Sequence, residues 1–145
     1  MNTRIICVGN RLFAPDSAGP MVYDILSSGQ LPKRVELIDG GLAGLNLLCC
    51  LEGIDLVIFV DSVQGFRDAP GIIIMNVFDS LHICQDYDHN AGLGYLLQAA
   101  PQVLEEKLPE IVLVGIQTDS DSRLYHRAAR MCLEIVSGYR RQTVS

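Results

Sequence analysis

Charge is scarce in this chain, and basic charge scarcer still. Charged residues fill 19% of its 145 positions, and 17 Asp and Glu against 11 Lys and Arg leave a net charge of −6. Grip on a phosphate backbone needs a concentrated basic face, whereas here the pair Arg140-Arg141 sits in the tail. No nucleic-acid partner is expected. A run of about 18 apolar residues, the length that spans a bilayer, is missing too. The apolar opening stretch, Ile5 to Val8, is shorter than a signal-peptide core, so a cytoplasmic protein without a membrane partner is expected. The five cysteines (Cys7, Cys49, Cys50, Cys84, Cys132) are odd in number, have no CxxC spacing and mostly fall inside apolar segments, which predicts reduced thiols. Neither GxSxG nor HExxH occurs, and Asp61-Ser62-Val63 stands alone rather than in the paired layout of aspartic proteases.

Apolar residues, at 49%, are plentiful. A domain of this length buries roughly 70% of the surface its unfolded chain exposes, so residues 1–145 are expected to form a single domain. Apolar runs alternate with helical periods, the pattern of a sheet covered on both faces. Strands are predicted at Arg4–Val8, Arg34–Ile38, Leu56–Val60, Gly71–Val77 and Ile111–Gly115. Gly19-Pro20 reads as cap and first residue of a helix that Gly29 stops, with Met21, Val22, Ile25 and Leu26 on its apolar face. A second helix is predicted from about Ala43 to Leu51 with Gly53 as its stop, and a third from Asp88 to Ala99, with Pro101 starting a separate turn. The last carries the stripe Leu124, Ala128, Met131, Cys132, Ile135, Val136, with Ser120 or Ser122 as its cap, TDSDS at its start and Gly138 as its end. SVQGFRDAPG has no helical period, so the fourth strand should run antiparallel to the others. The expected fold is an α/β three-layer sandwich: a mostly parallel five-stranded twisted sheet with one antiparallel strand and helices on both faces.

In such a sheet ligands collect beyond the carboxyl ends of the strands, where the strand order reverses. With the second strand on one side of the first and the third on the other, that point lies between strands one and three. Asp16, in GNRLFAPDSAGP, follows strand one; Asp61, in VIFVDS, ends strand three. Singly, Asp16 reads as a charge at a helix N-terminus and Asp61 as a strand-end residue bonding a turn. Together in one crevice they repel unless a proton or a cation lies between them. His89, in QDYDHNAGLG, is either a packing or capping residue or a third donor, and two carboxylates with one imidazole make an open site able to hold zinc or nickel. The glycine-rich DGGLAG (39–44) is not GxGxxG and follows the second strand, so it reads as a tight turn or a close backbone approach to a partner, not a dinucleotide loop. The Cys49-Cys50 pair reads as core and helix surface, and Cys84 near His89 lacks an orienting partner for thiol catalysis.

The motifs VGN (8–10), Asp16, AGP (18–20), IDGG (38–41), VDSV (60–63), DHNAGL (88–93) and VGIQ (114–117) occur in this order over nearly the whole chain. In that arrangement the sequence resembles the maturation endopeptidases of nickel-iron hydrogenases. The resemblance implies an α/β sandwich and a cytoplasmic protease that removes a short C-terminal extension from the hydrogenase large-subunit precursor after nickel insertion. It further implies that Asp16, Asp61 and His89 contact the metal and serve as the catalytic set, and that Asp39, Gly40 and Gly41 bind and select the substrate. Nickel would be presented by the precursor, with zinc or cadmium able to replace it in crystals, and no organic cofactor is implied. Members usually carry two acidic residues and a glycine where this chain has Pro15-Asp16-Ser17, and a proline where it has Thr118. The alternative is a catalytically altered homologue acting as a non-enzymatic hydrogenase-assembly binding module.

Overall fold

The computed structural model describes residues 2–41, 49–65, 68–76, 109–118 and 121–143. Strands β1 (Thr3–Val8), β2 (Val35–Gly41), β3 (Leu56–Ser62), β4 (Gly71–Asn76) and β5 (Glu110–Gln117) form one sheet in the order β2-β1-β3-β5-β4. The β1, β2, β3 and β5 pairings are parallel; β4 lies antiparallel to β5, as the turn-rich sequence before it predicts. The short segment between Ser62 and Gly71 leaves the chain at the same end of the sheet, so β4 has to return in the opposite sense. All seven residues of β3 are buried, which explains its unbroken apolar run: a parallel strand covered on both faces has no solvent side to mark.

Parallel register aligns Ile5, Ile58 and Val112 in one row and Cys7, Val60 and Val114 in the next. Against these rows pack α1 (Ala18–Ser27), through Ala18, Val22 and Leu26, and α2 (Ser122–Thr143), through Leu124, Ala128, Cys132 and Val136. Ile6, Phe59 and Leu113 alternate onto the opposite face and are equally buried. Two covered faces are the condition of a three-layer sandwich. The helix predicted over 88–99 lies outside the described residues, as does most of that over 43–51; Cys49–Gly53 ends that stretch as a turn, with Gly53 at φ 73°.

Boundaries differ from the sequence expectation for local reasons. Arg34 adopts φ 62°, a left-handed turn conformation that keeps it out of the strand, so β2 starts at Val35. Helix α1 begins at Ala18, which makes Pro20 its third residue and not its first. The missing proline N–H falls among the first helical donors, which have no intrahelical acceptor. Ser17 makes no side-chain cap; the Ala18 N–H instead donates to the Ser62 hydroxyl across the end of β3 at 3.3 Å. Asp121, rather than a serine, caps α2 by accepting the Arg123 N–H at 2.9 Å. That bond holds the Asp121 carboxyl below its usual range. Gly138 does not end α2, which continues to Thr143; its last turns are tied down where Arg140 donates to the Lys33 carbonyl and Tyr139 to that of Asp55.

Gly19 sets the position of α1. A Cβ there would lie 2.0 Å from the Val8 carbonyl oxygen and 2.9 Å from that of Val60. Gly138, in contrast, has open space around it. Gly19→Ala is therefore expected to destabilise the protein by about 3 kcal/mol or more through overpacking, and Gly138→Ala to stabilise it by roughly 0.5–1 kcal/mol through helix propensity. Urea unfolding of the two variants checks both signs.

Candidate active site at the ends of β1 and β3

Beyond Val8 the chain turns on Gly9, whose φ of 140° favours glycine and where a Cβ would sit 2.3 Å from the Asp16 carbonyl oxygen. The loop then closes on itself. The Asn10 N–H donates to the Asp16 carbonyl at 2.9 Å and to Asp16 Oδ2 at 3.0 Å. Asn10 Oδ1 accepts the Leu12 N–H at 2.9 Å, and the Asn10 carbonyl accepts the Phe13 N–H at 3.2 Å. A 3-10 turn, Ala14–Asp16, carries Pro15 at its start, where its fixed φ fits and its missing donor costs nothing. Asp16 thus does not cap α1; its carboxylate helps to close the loop and stays half-buried at the surface.

Pairing of β1 with β3 stops at Cys7–Val60, so Asp61 and Ser62 run on beyond it, paired with Gly115 and Ile116 of β5. The strand order reverses between β1 and β3, and both acids predicted from the sequence stand at that reversal. Asp61 is fully buried, and its Oδ1 accepts the Ser62 N–H at 2.8 Å. Ser62 points the other way, to the first turn of α1. A small cavity of about 130 Å³ is lined by Phe13, Pro15, Asp16, Ser62 and Gln64. It brings Asp16 against the end of β3, with Ser62 on its wall and Asp61 next in the chain. Pro15 and Gln64 also line a larger cavity of about 360 Å³ that reaches Asp68, Ile116, Gln117 and Thr118 at the end of β5. His89, like Cys84, lies outside the described residues, and among the described residues no three His, Cys, Asp or Glu side chains gather as a metal-holding group.

The glycine-rich segment is the end of β2 rather than a loop after it. Cys7 pairs with Asp39 and Val8 with Gly41, so Gly40 is the extra residue of a bulge, a device that re-aims a strand end. Gly41 takes φ 52° and its carbonyl accepts the Gly9 N–H at 3.0 Å. Asp39 is half-exposed, on the flank of β1 away from β3. Arg11, which composition and spacing did not single out, links the two sides: it binds Asp24 of α1 through both terminal nitrogens and approaches Asp39 at 3.8 Å. Phe13, Ser62 and Gln64 were missed as well.

The buried thiols are unreactive by setting. Burial pushes Cys132 up to about 12 and raises Cys7 well above its ordinary value, with neighbouring Cys132 and Asp39 adding to the effect. Burial and the adjacent Cys49 raise Cys50 as well, so Cys50 lacks the thiolate-favouring surroundings of a redox centre. Exposed Cys49 should accordingly react with a thiol reagent in the native protein, and Cys7 and Cys132 only on unfolding; mass spectrometry after labelling with and without urea checks this.

A family model described as hydrogenase maturation protease (HycI) matches residues 21–132, a range that contains Asp39–Gly41, Asp61 and His89. The chain is 28% identical over 124 residues to the hydrogenase 2 maturation protease of Escherichia coli K12, covering 83% of this chain and 75% of that one. To the hydrogenase 3 maturation protease of the same organism it is 27% identical over 121 residues, covering 82% and 74%. Among solved structures, the hydrogenase maturating endopeptidase HybD from E. coli shares the fold at a TM-score of 0.82 and 24% identity over 96% of this chain and 94% of that one. A hydrogenase 2 maturation peptidase from Thaumarchaeota archaeon SCGC_AB-539-E09 is 31% identical, at a TM-score of 0.58, over 94% and 96%. With most of its length matched by the family model, the chain belongs to the hydrogenase maturation proteases, a family of endopeptidases.

Proposed function

We propose that this protein removes the C-terminal extension of a nickel-iron hydrogenase large-subunit precursor after nickel has been inserted, with the precursor's nickel as the recognition element. The observation that carries the reading is the meeting of Asp16 with the end of β3 on one cavity, at the strand-order reversal, with Asp61 adjoining it. Asp16, Asp61 and His89 then supply oxygen, oxygen and nitrogen donors to the incoming ion. So open and weak a set gains little from an unmetallated precursor and several contacts from a loaded one. A cation held between two carboxylates also relieves their mutual repulsion. The Asn10 N–H orients the Asp16 carboxylate and the Ser62 N–H that of Asp61, so neither acid has to be ordered when substrate arrives. Asp39, Gly40 and Gly41, joined to the Asp16 loop through Gly9 and Arg11, select the substrate.

The test is incubation of purified protein with nickel-loaded and nickel-free precursor, followed by mass spectrometry. Loss of a C-terminal peptide is expected from the loaded form alone, and Asp16→Asn or His89→Ala should lower the cleavage rate by about 100-fold or more while the circular dichroism of each variant stays native. Cleavage by both variants regardless of nickel sinks the reading. A stable complex that releases no peptide identifies an assembly-binding module instead.

A further inference from the structure

Leu12 is 95% exposed and Phe13 58%, although the loop that carries them is among the most firmly bonded irregular segments described. We propose that these two side chains form an apolar anchor that seats the precursor protein, by apolar side chains flanking its scissile segment; this rests on the protease reading above. Single exposed apolar residues are ordinary. Two adjacent ones at the tip of a braced loop are a different matter. Asn10 accepts the N–H groups of both Leu12 and Phe13, its own N–H is held by Asp16, and Arg11 between them is clamped to Asp24.

The tip is therefore ordered before anything binds, and burial of its side chains converts to affinity with little further loss of freedom. Its contacts project outward from the surface, which suits a protein partner rather than a small molecule. Continuity with the site decides which partner: Phe13 lines the same cavity as Asp16 and Ser62, so whatever covers the anchor also lies over the candidate active site. Binding energy concentrates in a few side chains that a partner desolvates fully, the position the Phe13 ring takes when a partner lies over this cavity.

The test is calorimetric titration of nickel-loaded precursor into the full-length protein and into Leu12→Ser/Phe13→Ser, with thermal unfolding of both. The double variant should unfold at the wild-type temperature, since neither side chain belongs to the core, yet bind precursor about tenfold or more weakly and show a matching rise in KM. Leu12→Met/Phe13→Leu should restore most of the affinity. Unchanged Kd and KM in the serine variant, with wild-type cleavage intact, overturn the anchor alone. Failure of the wild type to cleave, with binding still lost in the serine variant, overturns the protease reading and supports the anchor. A wild-type dimer in sedimentation that the serine variant cannot form, with precursor affinity unaltered, assigns the pair to self-association and overturns the proposal.

Discussion

The close approach of helix α1 to the ends of β1 and β3 governs the rest of this molecule. At Gly19 the helix lies so near the Val8 and Val60 carbonyls that no side chain fits. Once the helix is wedged there, its first N–H meets the Ser62 hydroxyl, and the preceding 3-10 turn is held over the end of β3. The loop from Gly9 to Ser17 then has little freedom left, and its polar groups are met within itself: Asp16 by Asn10, Leu12 and Phe13 by Asn10, Asp16 by Phe13.

Two kinds of environment meet at this point. Behind the site, the centre of the sheet is dry on both faces, and the thiols of Cys7 and Cys132 there are pushed toward their neutral form. In front, the loop is largely exposed and cross-linked by charge: Arg11 stands between Asp24 and Asp39 and ties the glycine-rich end of β2 to the loop that carries Asp16. A surface pair of this kind contributes little stability. Its use is positional, because a planar guanidinium with two carboxylate partners allows few arrangements. Pro15, one of this chain's departures from the usual family pattern, fits the same scheme by stiffening the turn without removing a needed donor.

Most of the framework could be read from the chain. All five strands were expected within a few residues, the antiparallel sense of the fourth followed from the turn-rich segment before it, and, of the predicted stripe, Leu124, Ala128, Cys132, Ile135 and Val136 face the core while Met131 lies at its margin. The errors fall where a local rule met a tertiary partner. Gly138 reads as a helix stop, yet Tyr139 and Arg140 find carbonyl partners and the helix continues. Gly19 reads as a cap, yet its lack of a side chain is needed for packing between two strand ends. Ser62 had no signal of its own, because its partner lies 44 positions away.

The sequence by itself determined the class of fold, the family and the identity of the two acids at the reversal, since burial on both faces of a parallel sheet imprints long apolar runs, and Asp61 ends one of them while Asp16 lies in the loop that follows another. Only the tertiary structure decided that Asp16 closes its own loop, that Asp61 is buried while Ser62 faces the helix, and that Arg11 joins the glycine-rich bulge to the site. The reason is geometric. A pleat alternates side chains between faces and a bulge or tight turn re-aims them, so which group reaches a cavity depends on strand order and close backbone approach, and no local pattern of residues encodes either.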